Sequence, residues 1–156
     1  MASPFGKKKS VNRAFNKCLE NRKVFPAPHA KSLVRKELNA AEQDLEEAQD
    51  RLGNQRHKYA IINAYYAAFH SARALLYSQG LRERSHYCLS VAIEALFVDT
   101  GRLEARFVGN LNNLMSMREE ADYAGSSSSG AAFLCVQYAE EFVEQSRRLL
   151  SGDFRL

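Results

Sequence analysis

Five polar or aromatic side chains recur at steps of three and four within an otherwise apolar stretch, residues 59–77. They are Asn63, Tyr66, His70, Arg73 and Tyr77. In an α-helix this spacing places them on one face, so the stretch predicts a helix with a polar line along its side. Such a line must be paired inside the fold, open to a cleft, or lie at a subunit contact, because unpaired polar burial is costly. A hydrogen-bonded stripe at a dimer seam and a ligand-facing stripe both fit, and the residues leave the two open.

A second candidate is Arg118, which continues an apolar helical stripe. The stripe consists of Leu103, Phe107, Leu111 and Leu114. It predicts that the guanidinium points inward, where a carboxylate or another anion must accompany it. Asp122 lies one helical turn further on, and Tyr123 follows it. An ordinary intrahelical pair of Arg118 with Asp122 is the plainer interpretation, and a bound phosphate is the alternative.

A third candidate is the pair Ser85 and His86, at the predicted start of a helix. Serine is a good N-cap residue. The free N–H groups of that helix end could bind a phosphate together with Arg82 and Arg84, which come just before it. A helix cap beside solvated arginines would look the same in the sequence.

Common enzymatic signatures are missing from the chain. It has no glycine-rich phosphate loop, no G-x-S-x-G and no H-E-x-x-H. Its three cysteines, Cys18, Cys88 and Cys135, are widely spaced and show no metal-ligand pattern. We therefore expect reduced thiols, a cytoplasmic protein, no metal and no cofactor.

The elements that must position these residues are helices. None of the three prolines follows Pro28, which leaves the rest of the chain free for long helices. Apolar periodicity predicts helices over about residues 30–51, 57–78, 85–98, 103–123 and 131–150. Residues 81–84 and 125–130 are predicted loops, and a short helix is predicted near residues 11–22. The fold class is therefore all-α, an antiparallel up-and-down bundle of the four-helix type with about five helices.

Positive charge is concentrated at the N-terminus. Residues 1–28 carry seven basic side chains and one acidic one, a net charge of +6. Because the total is +4, the remainder is slightly acidic at −2. We predict a basic, flexible arm over residues 1–28 and a bundle domain over residues 29–152. The start of the chain is too polar for a signal peptide, and the polar line argues against residues 59–77 crossing a membrane.

Three segments together resemble the HEPN-domain family. They are YAIINAYYAAFHSARALLY over residues 59–77, the pair Ser85-His86, and REEADY over residues 118–123. The resemblance covers about residues 18–150, including the lead-in FPAP at residues 25–28. It implies a helical bundle that is commonly dimeric and is often encoded beside a minimal nucleotidyltransferase, in some cases as a toxin–antitoxin pair.

Other branches of this family are metal-independent ribonucleases. Their motif is an arginine, four to six residues and then a histidine, with two copies meeting across a dimer interface. In this chain, Arg118 is followed by four residues and then by Tyr123, at a position where the motif has a histidine. Tyrosine is a poor general base near neutral pH, since its ordinary pKa is about 10. His70 or His86 could supply the missing base if either lies near Arg118.

The resemblance and the inward polar residues favour a non-catalytic HEPN subunit. It would form a homodimer, bind a nucleotide or RNA, and partner a minimal nucleotidyltransferase. Arg118 would hold phosphate and Asp122 would orient Arg118. The remaining ligand-binding candidates are Tyr66, His70, Arg73, Ser85, His86 and Tyr123. One alternative is a metal-independent endoribonuclease with a composite site of Arg118 and a histidine at the dimer interface, and another is a purely structural dimerisation partner.

Overall fold

Helices account for most of the fold. The computed structural model describes residues 4–124 and 127–154, and the side chains of residues 12–124 and 127–152. Its helices are α1 (Pro4–Glu20), α2 (Val34–Gly53), α3 (His57–Ser78), α4 (His86–Ile93), α5 (Ala105–Ala124) and α6 (Ser129–Phe154). A 3₁₀ turn, Pro28–Leu33, precedes α2, and a π-helical turn, Glu94–Val98, continues α4. The prediction of an all-α bundle is confirmed.

Helix α3 lies at the centre and contacts α2, α5 and α6. It can do so because its many alanines, with serine and large apolar residues between them, are buried on most sides of the helix. Small side chains let neighbouring helix backbones approach closely, while Leu75, Leu76 and Tyr65 fill the space between them. The helix spans the residues that the sequence predicts, and it ends where Gly80 adopts a positive φ of 71°.

Several observed helices begin or end a few residues away from their predicted limits. The predicted start of the first long helix belongs to the 3₁₀ turn, because Pro28 occupies its first turn and α2 begins only at Val34. The last helix begins at Ser129, two residues earlier than predicted, where the Ser128 hydroxyl accepts a hydrogen bond from the amide of Ala131. The first two residues of the predicted loop 125–130 lie outside the described residues.

The predicted loop at residues 81–84 is wrong, because most of it is a strand. Strand β2 (Leu81–Glu83) pairs antiparallel with β1 (Val24–Pro26), which lies in the segment predicted as an arm. Three-residue strands are too short to show an alternating pattern. We call this pair the β-ribbon. Helix α1 extends the predicted short helix toward the N-terminus, and the domain boundary at residue 28 stays a prediction.

The expectation of three reduced thiols is also wrong. Helix α1 packs against α4, which brings the Cα atoms of Cys18 and Cys88 to 5.8 Å, and the two residues form a disulfide. The sequence gives no hint of this pairing because 70 residues separate the two cysteines. Cys135 alone remains free, and burial raises the pKa of its thiol to about 11. The cysteines therefore do not support the predicted cytoplasmic location.

None of the helices in the described parts of the chain is long and apolar enough to cross a membrane.

Candidate functional site

Arg118 lies where its apolar stripe predicts, directed inward from α5. Phe107, Leu111 and Leu114 of that stripe are buried. The Arg118 guanidinium carbon lies 5.2 Å from the ring centre of Tyr65 and 5.7 Å from that of Tyr66, which gives it two cation–π contacts with α3. Burial of its stem among apolar neighbours thus leads the charged group onto an aromatic surface.

The predicted pair of Arg118 with Asp122 is present but loose. The Arg118 Nε atom lies 3.5 Å from Asp122 Oδ2, and Asp122 itself is exposed. Arg118 Nε is buried and has no hydrogen-bond partner among the described residues. The Asp122 carboxylate therefore offsets the charge of Arg118 but accepts no hydrogen bond from its Nε atom.

Tyr65 connects Arg118 to His86. Its ring is buried, and its hydroxyl forms a hydrogen bond with His86 Nδ1. Burial raises the pKa of the Tyr65 hydroxyl to about 12, although the charge of Arg118 acts in the opposite direction. Tyr65 therefore stays a neutral phenol that can both donate and accept. The helical spacing predicts a role for its neighbour Tyr66 and gives no signal for Tyr65.

His86 stands exposed at the first turn of α4, next to this hydroxyl. Its ring stacks on Phe69 at a centroid distance of 4.8 Å and an interplanar angle of 16°. Ser85 caps the helix as predicted, since its hydroxyl accepts the amide hydrogen of Cys88 at 3.2 Å. The cap fixes the start of α4 and with it the position of His86. Of the two histidines that could accompany Arg118, His86 is the one that contacts Tyr65, the residue whose ring lies under the Arg118 guanidinium.

We call Tyr65, Tyr66, Phe69, His86 and Arg118 the Arg118 cluster. The five residues come from α3, α4 and α5, and their rings lie close together around the Tyr65 hydroxyl. The cluster offers a half-buried cation, a neutral hydroxyl and an exposed imidazole. Since His86 engages the hydroxyl through Nδ1, its Nε2 is left to exchange a proton with a ligand.

His70 belongs to a different set of contacts. Its Nδ1 lies 2.6 Å from Glu37 Oε2, and its Nε2 lies 3.7 Å from Asp44 Oδ2, both on α2. Asn63, two steps earlier on the polar line, donates to Asp44 at 3.4 Å. Glu37 and Asp44 stand two turns apart on α2, a spacing that could have predicted an acidic partner face. The middle of the polar line is therefore paired within one chain.

Arg73 and Tyr77 end the line near the β-ribbon. Arg73 Nε lies 3.2 Å from Glu83 Oε1, and its Nη1 lies 3.9 Å from Glu37 Oε1. Tyr77 is buried between the guanidinium groups of Arg73 and Arg82. Of the polar line, only Tyr66 joins the Arg118 cluster.

The two carboxylates beside His70 have opposite pKa shifts. Burial acts to raise the pKa of Glu37, but the His70 hydrogen bond and the charge of Arg73 outweigh it, so that the net shift is downward. For Asp44 burial dominates, and its pKa rises although Asn63 and His70 oppose this.

Tyr123 is not brought to the cluster within one chain. Its side chain is 92% exposed and lies with Glu119 and Glu120 along a shallow surface of α5. No cluster of three or more histidine, cysteine or acidic side chains is placed to hold a metal within residues 12–124 and 127–152.

Comparison with known proteins places this bundle in a family. Residues 34–150 match the HEPN domain, so the chain belongs to the HEPN family. A protein of Methanocaldococcus jannaschii named "Putative toxin MJ0605" is 30% identical over 122 residues, which are 75% of this chain and 91% of the relative. A UPF0332 protein of Thermotoga maritima is 31% identical over 112 residues, 72% of this chain and 78% of its own.

Proposed function

We propose that this HEPN protein binds the phosphate of a nucleotide or of RNA at the Arg118 cluster. The observation that carries the proposal is the Arg118 guanidinium, which lies over two tyrosine rings and keeps a buried Nε without a hydrogen-bond partner among the described residues. Such an unpaired donor costs about 1–3 kcal/mol. The Arg118 side chain is 28% exposed, so a phosphate oxygen would bind the accessible part of the guanidinium and match its charge, and exposed His86 gives the ligand a second contact.

Replacing Arg118 tests this proposal. We expect Arg118→Ala to weaken ATP binding by roughly 10- to 100-fold, since a hydrogen bond to a charged group contributes about 1.5–3 kcal/mol. Isothermal titration calorimetry with ATP measures the affinity, and a circular-dichroism melting curve checks that the fold persists.

Arg148→Ala is the matched control. Arg148 also pairs with an acid one helical turn away, Glu144, but it is exposed on α6. We expect its removal to leave ATP affinity unchanged. Equal affinity in Arg118→Ala and the unaltered protein would overturn the proposal.

The partner is proposed to be a minimal nucleotidyltransferase, with the HEPN chain as a homodimer in a toxin–antitoxin-like pair in the cytoplasm. Support comes from family membership and from the name of the relative in Methanocaldococcus jannaschii. Sedimentation equilibrium should then give twice the chain mass of 17.6 kDa. If Arg118→Ala and His70→Ala abolish only the dimer and not ligand binding, the purely structural role is favoured instead.

A second candidate function is metal-independent RNA cleavage. The observation that favours it is that His86 hydrogen-bonds to the Tyr65 hydroxyl while the Arg118 guanidinium lies over the Tyr65 ring. His86 would remove a proton from the 2′-hydroxyl, whose oxygen bonds to phosphorus as the bond from phosphorus to the 5′-oxygen breaks. Arg118 would stabilise the charge that develops on the phosphate, and the departing 5′-oxygen would take up a proton from water.

Incubation of structured RNA with the protein in excess chelator tests this second function. Cleavage should disappear in His86→Ala and persist in His70→Ala, because His70 is engaged by Glu37 and Asp44. Intact RNA after incubation with the unaltered protein would restrict the site to binding.

A further inference from the structure

The β-ribbon carries its acidic and its basic side chains on opposite faces. In its antiparallel register Val24 lies opposite Glu83 and Phe25 lies opposite Arg82. Because side chains alternate along a strand, the residues of each pair share one face. Val24 is fully buried, and Glu83 is only 6% exposed and binds Arg73. The ribbon's one acidic side chain is therefore on its inner face.

The other face of the ribbon is basic. The amide of Arg84 donates to the Lys23 carbonyl at 2.8 Å, which continues the register by one pair and places both residues on the side of Phe25 and Arg82. Arg22, Lys23 and Arg84 are exposed, and Arg82 is half-buried. Arg22 lies in the turn before β1, outside this alternation, and lines one surface depression together with Arg84. We call Arg22, Lys23, Arg82 and Arg84 the ribbon cations. Pairing of the two strands thus brings Arg22 and Lys23 of the N-terminal segment close to Arg82 and Arg84, which precede α4.

The ribbon cations differ from most arginines elsewhere in the bundle. Among the described side chains none of the four forms an ion pair, whereas several other arginines do. An uncompensated row of positive charge is a surface for a polyanion.

Aromatic contacts fix two of these cations in place. The guanidinium carbon of Arg84 lies 4.6 Å from the ring centre of Phe25, and that of Arg82 lies 5.2 Å from the ring centre of Tyr77. Because Arg84 is exposed, the side of its guanidinium away from the ring is available for a nucleobase to stack on. Between Arg22 and Arg84 lies an open depression with an apolar floor of Leu19, Val24, Phe25 and Pro26.

The ribbon leads directly to the Arg118 cluster. Arg84 is followed by Ser85, the cap of α4, and then by His86. His86 is two residues from Arg84, so the Cα atoms of these two residues lie no more than about 7 Å apart.

We propose that the outer face of the β-ribbon binds the backbone of a single-stranded RNA, with one further phosphate at the Arg118 cluster. This inference rests on the proposed function of that cluster. The ribbon cations contact successive phosphates, and a base stacks on Arg84. Single-stranded RNA fits because its bases are free to stack, which an acidic peptide cannot do.

Salt-dependent binding tests the inference. The probe is a fluorescent 2′-O-methyl oligouridine of about ten nucleotides, a length that one small domain covers, and fluorescence anisotropy measures its affinity. The double variant Arg82→Gln/Arg84→Gln should bind it more weakly and should lower the slope of log K against log salt by about 1.4, which is about 0.7 for each lost phosphate contact. The single variant Lys23→Gln, at an exposed position, should lower the slope by about half as much.

The matched control is Arg147→Gln/Arg148→Gln, which removes the same charge from α6, where both arginines pair with acids. Its slope should equal that of the unaltered protein. ATP affinity should be unchanged in the ribbon variants and reduced in Arg118→Ala.

The outcomes separate the two proposals. An unchanged slope in both ribbon variants, no binding of the oligonucleotide by the unaltered protein, or equally tight binding of a polyglutamate peptide would each overturn the RNA surface. If the ribbon variants lose RNA affinity while Arg118→Ala keeps both ATP and RNA affinity, the ribbon stands and the function proposed for the Arg118 cluster fails.

Discussion

Several residues of this protein make contacts that their spacing in the sequence does not predict. Tyr66 and His70 share the polar line of α3, yet Tyr66 lies under Arg118 and His70 lies between two carboxylates of α2. Tyr65, one position from the line, is the residue that joins Arg118 to His86. Rotation about a helix by one residue is about 100°, so neighbouring residues meet different partner helices.

Glu37 should stabilise the fold at neutral pH. Its pKa is lower in the folded protein than the ordinary value of 4.5 because His70 and Arg73 outweigh the effect of burial. The stabilisation is therefore present above pH 4.5 and is lost as the pH falls through the lowered pKa. We expect Glu37→Gln to reduce the free energy of unfolding by about 2 kcal/mol at pH 7, with a smaller difference from the unaltered protein in acid. Urea unfolding at both pH values measures this.

Glu47→Gln is the control for that prediction, since Glu47 pairs with Arg51 on the exposed face of the same helix. We expect it to change the free energy of unfolding by less than about 0.5 kcal/mol. A Glu37→Gln variant as stable as the unaltered protein at pH 7 would contradict the stabilising role of Glu37. Asp44 has a raised pKa and responds to acid in the opposite sense, so the comparison must be made between variants rather than between pH values alone.

Among the elements, α1 is attached to the bundle by a disulfide as well as by packing. It contacts α4, the π-helical turn and β1, while the central α3 contacts three long helices. The Cys18–Cys88 disulfide joins it to the same α4 that carries His86. The placement of α1, and of the β-ribbon that follows it, is therefore expected to respond to reduction.

Removal of this disulfide should destabilise the protein. A crosslink between residues 70 positions apart restricts the unfolded chain, so we expect Cys18→Ser to lower the free energy of unfolding by about 2–4 kcal/mol. Trypsin should cut more readily after Arg13 and Lys17, which are exposed on α1. Thermal melts and timed digestion measure the two effects.

Dithiothreitol provides the control for the disulfide. It should lower the melting temperature of the unaltered protein toward that of Cys18→Ser and leave the variant unaffected. The prediction fails if the unaltered protein melts at the same temperature with and without the reductant.

In the whole molecule, the arrangement follows from the apolar character of α3. A helix buried on most sides needs neighbours on most sides, and α2, α5 and α6 supply them. These helices bring two separate polar sites to α3, the acidic residues of α2 on one side and Arg118 of α5 on the other. The bundle as a whole is slightly acidic after residue 28, and the β-ribbon is the place where the fold gathers positive charge.

The sequence by itself determined the helices, the central position of α3, the inward direction of Arg118 and the cap at Ser85. These features depend on contacts within a few residues, because helical hydrogen bonds and apolar stripes repeat every three to four positions. Family membership was also evident from the three matching segments.

Only the tertiary structure decided which polar groups meet. The contacts of His86 with Tyr65, of His70 with Glu37 and of Cys18 with Cys88 all join residues far apart in the chain. They depend on how each helix is rotated and where it crosses its neighbour, which periodicity does not specify. The β-ribbon is the clearest case, because three-residue strands exist only through hydrogen bonds to each other, and their pleat alone puts the acid inside and the cations outside.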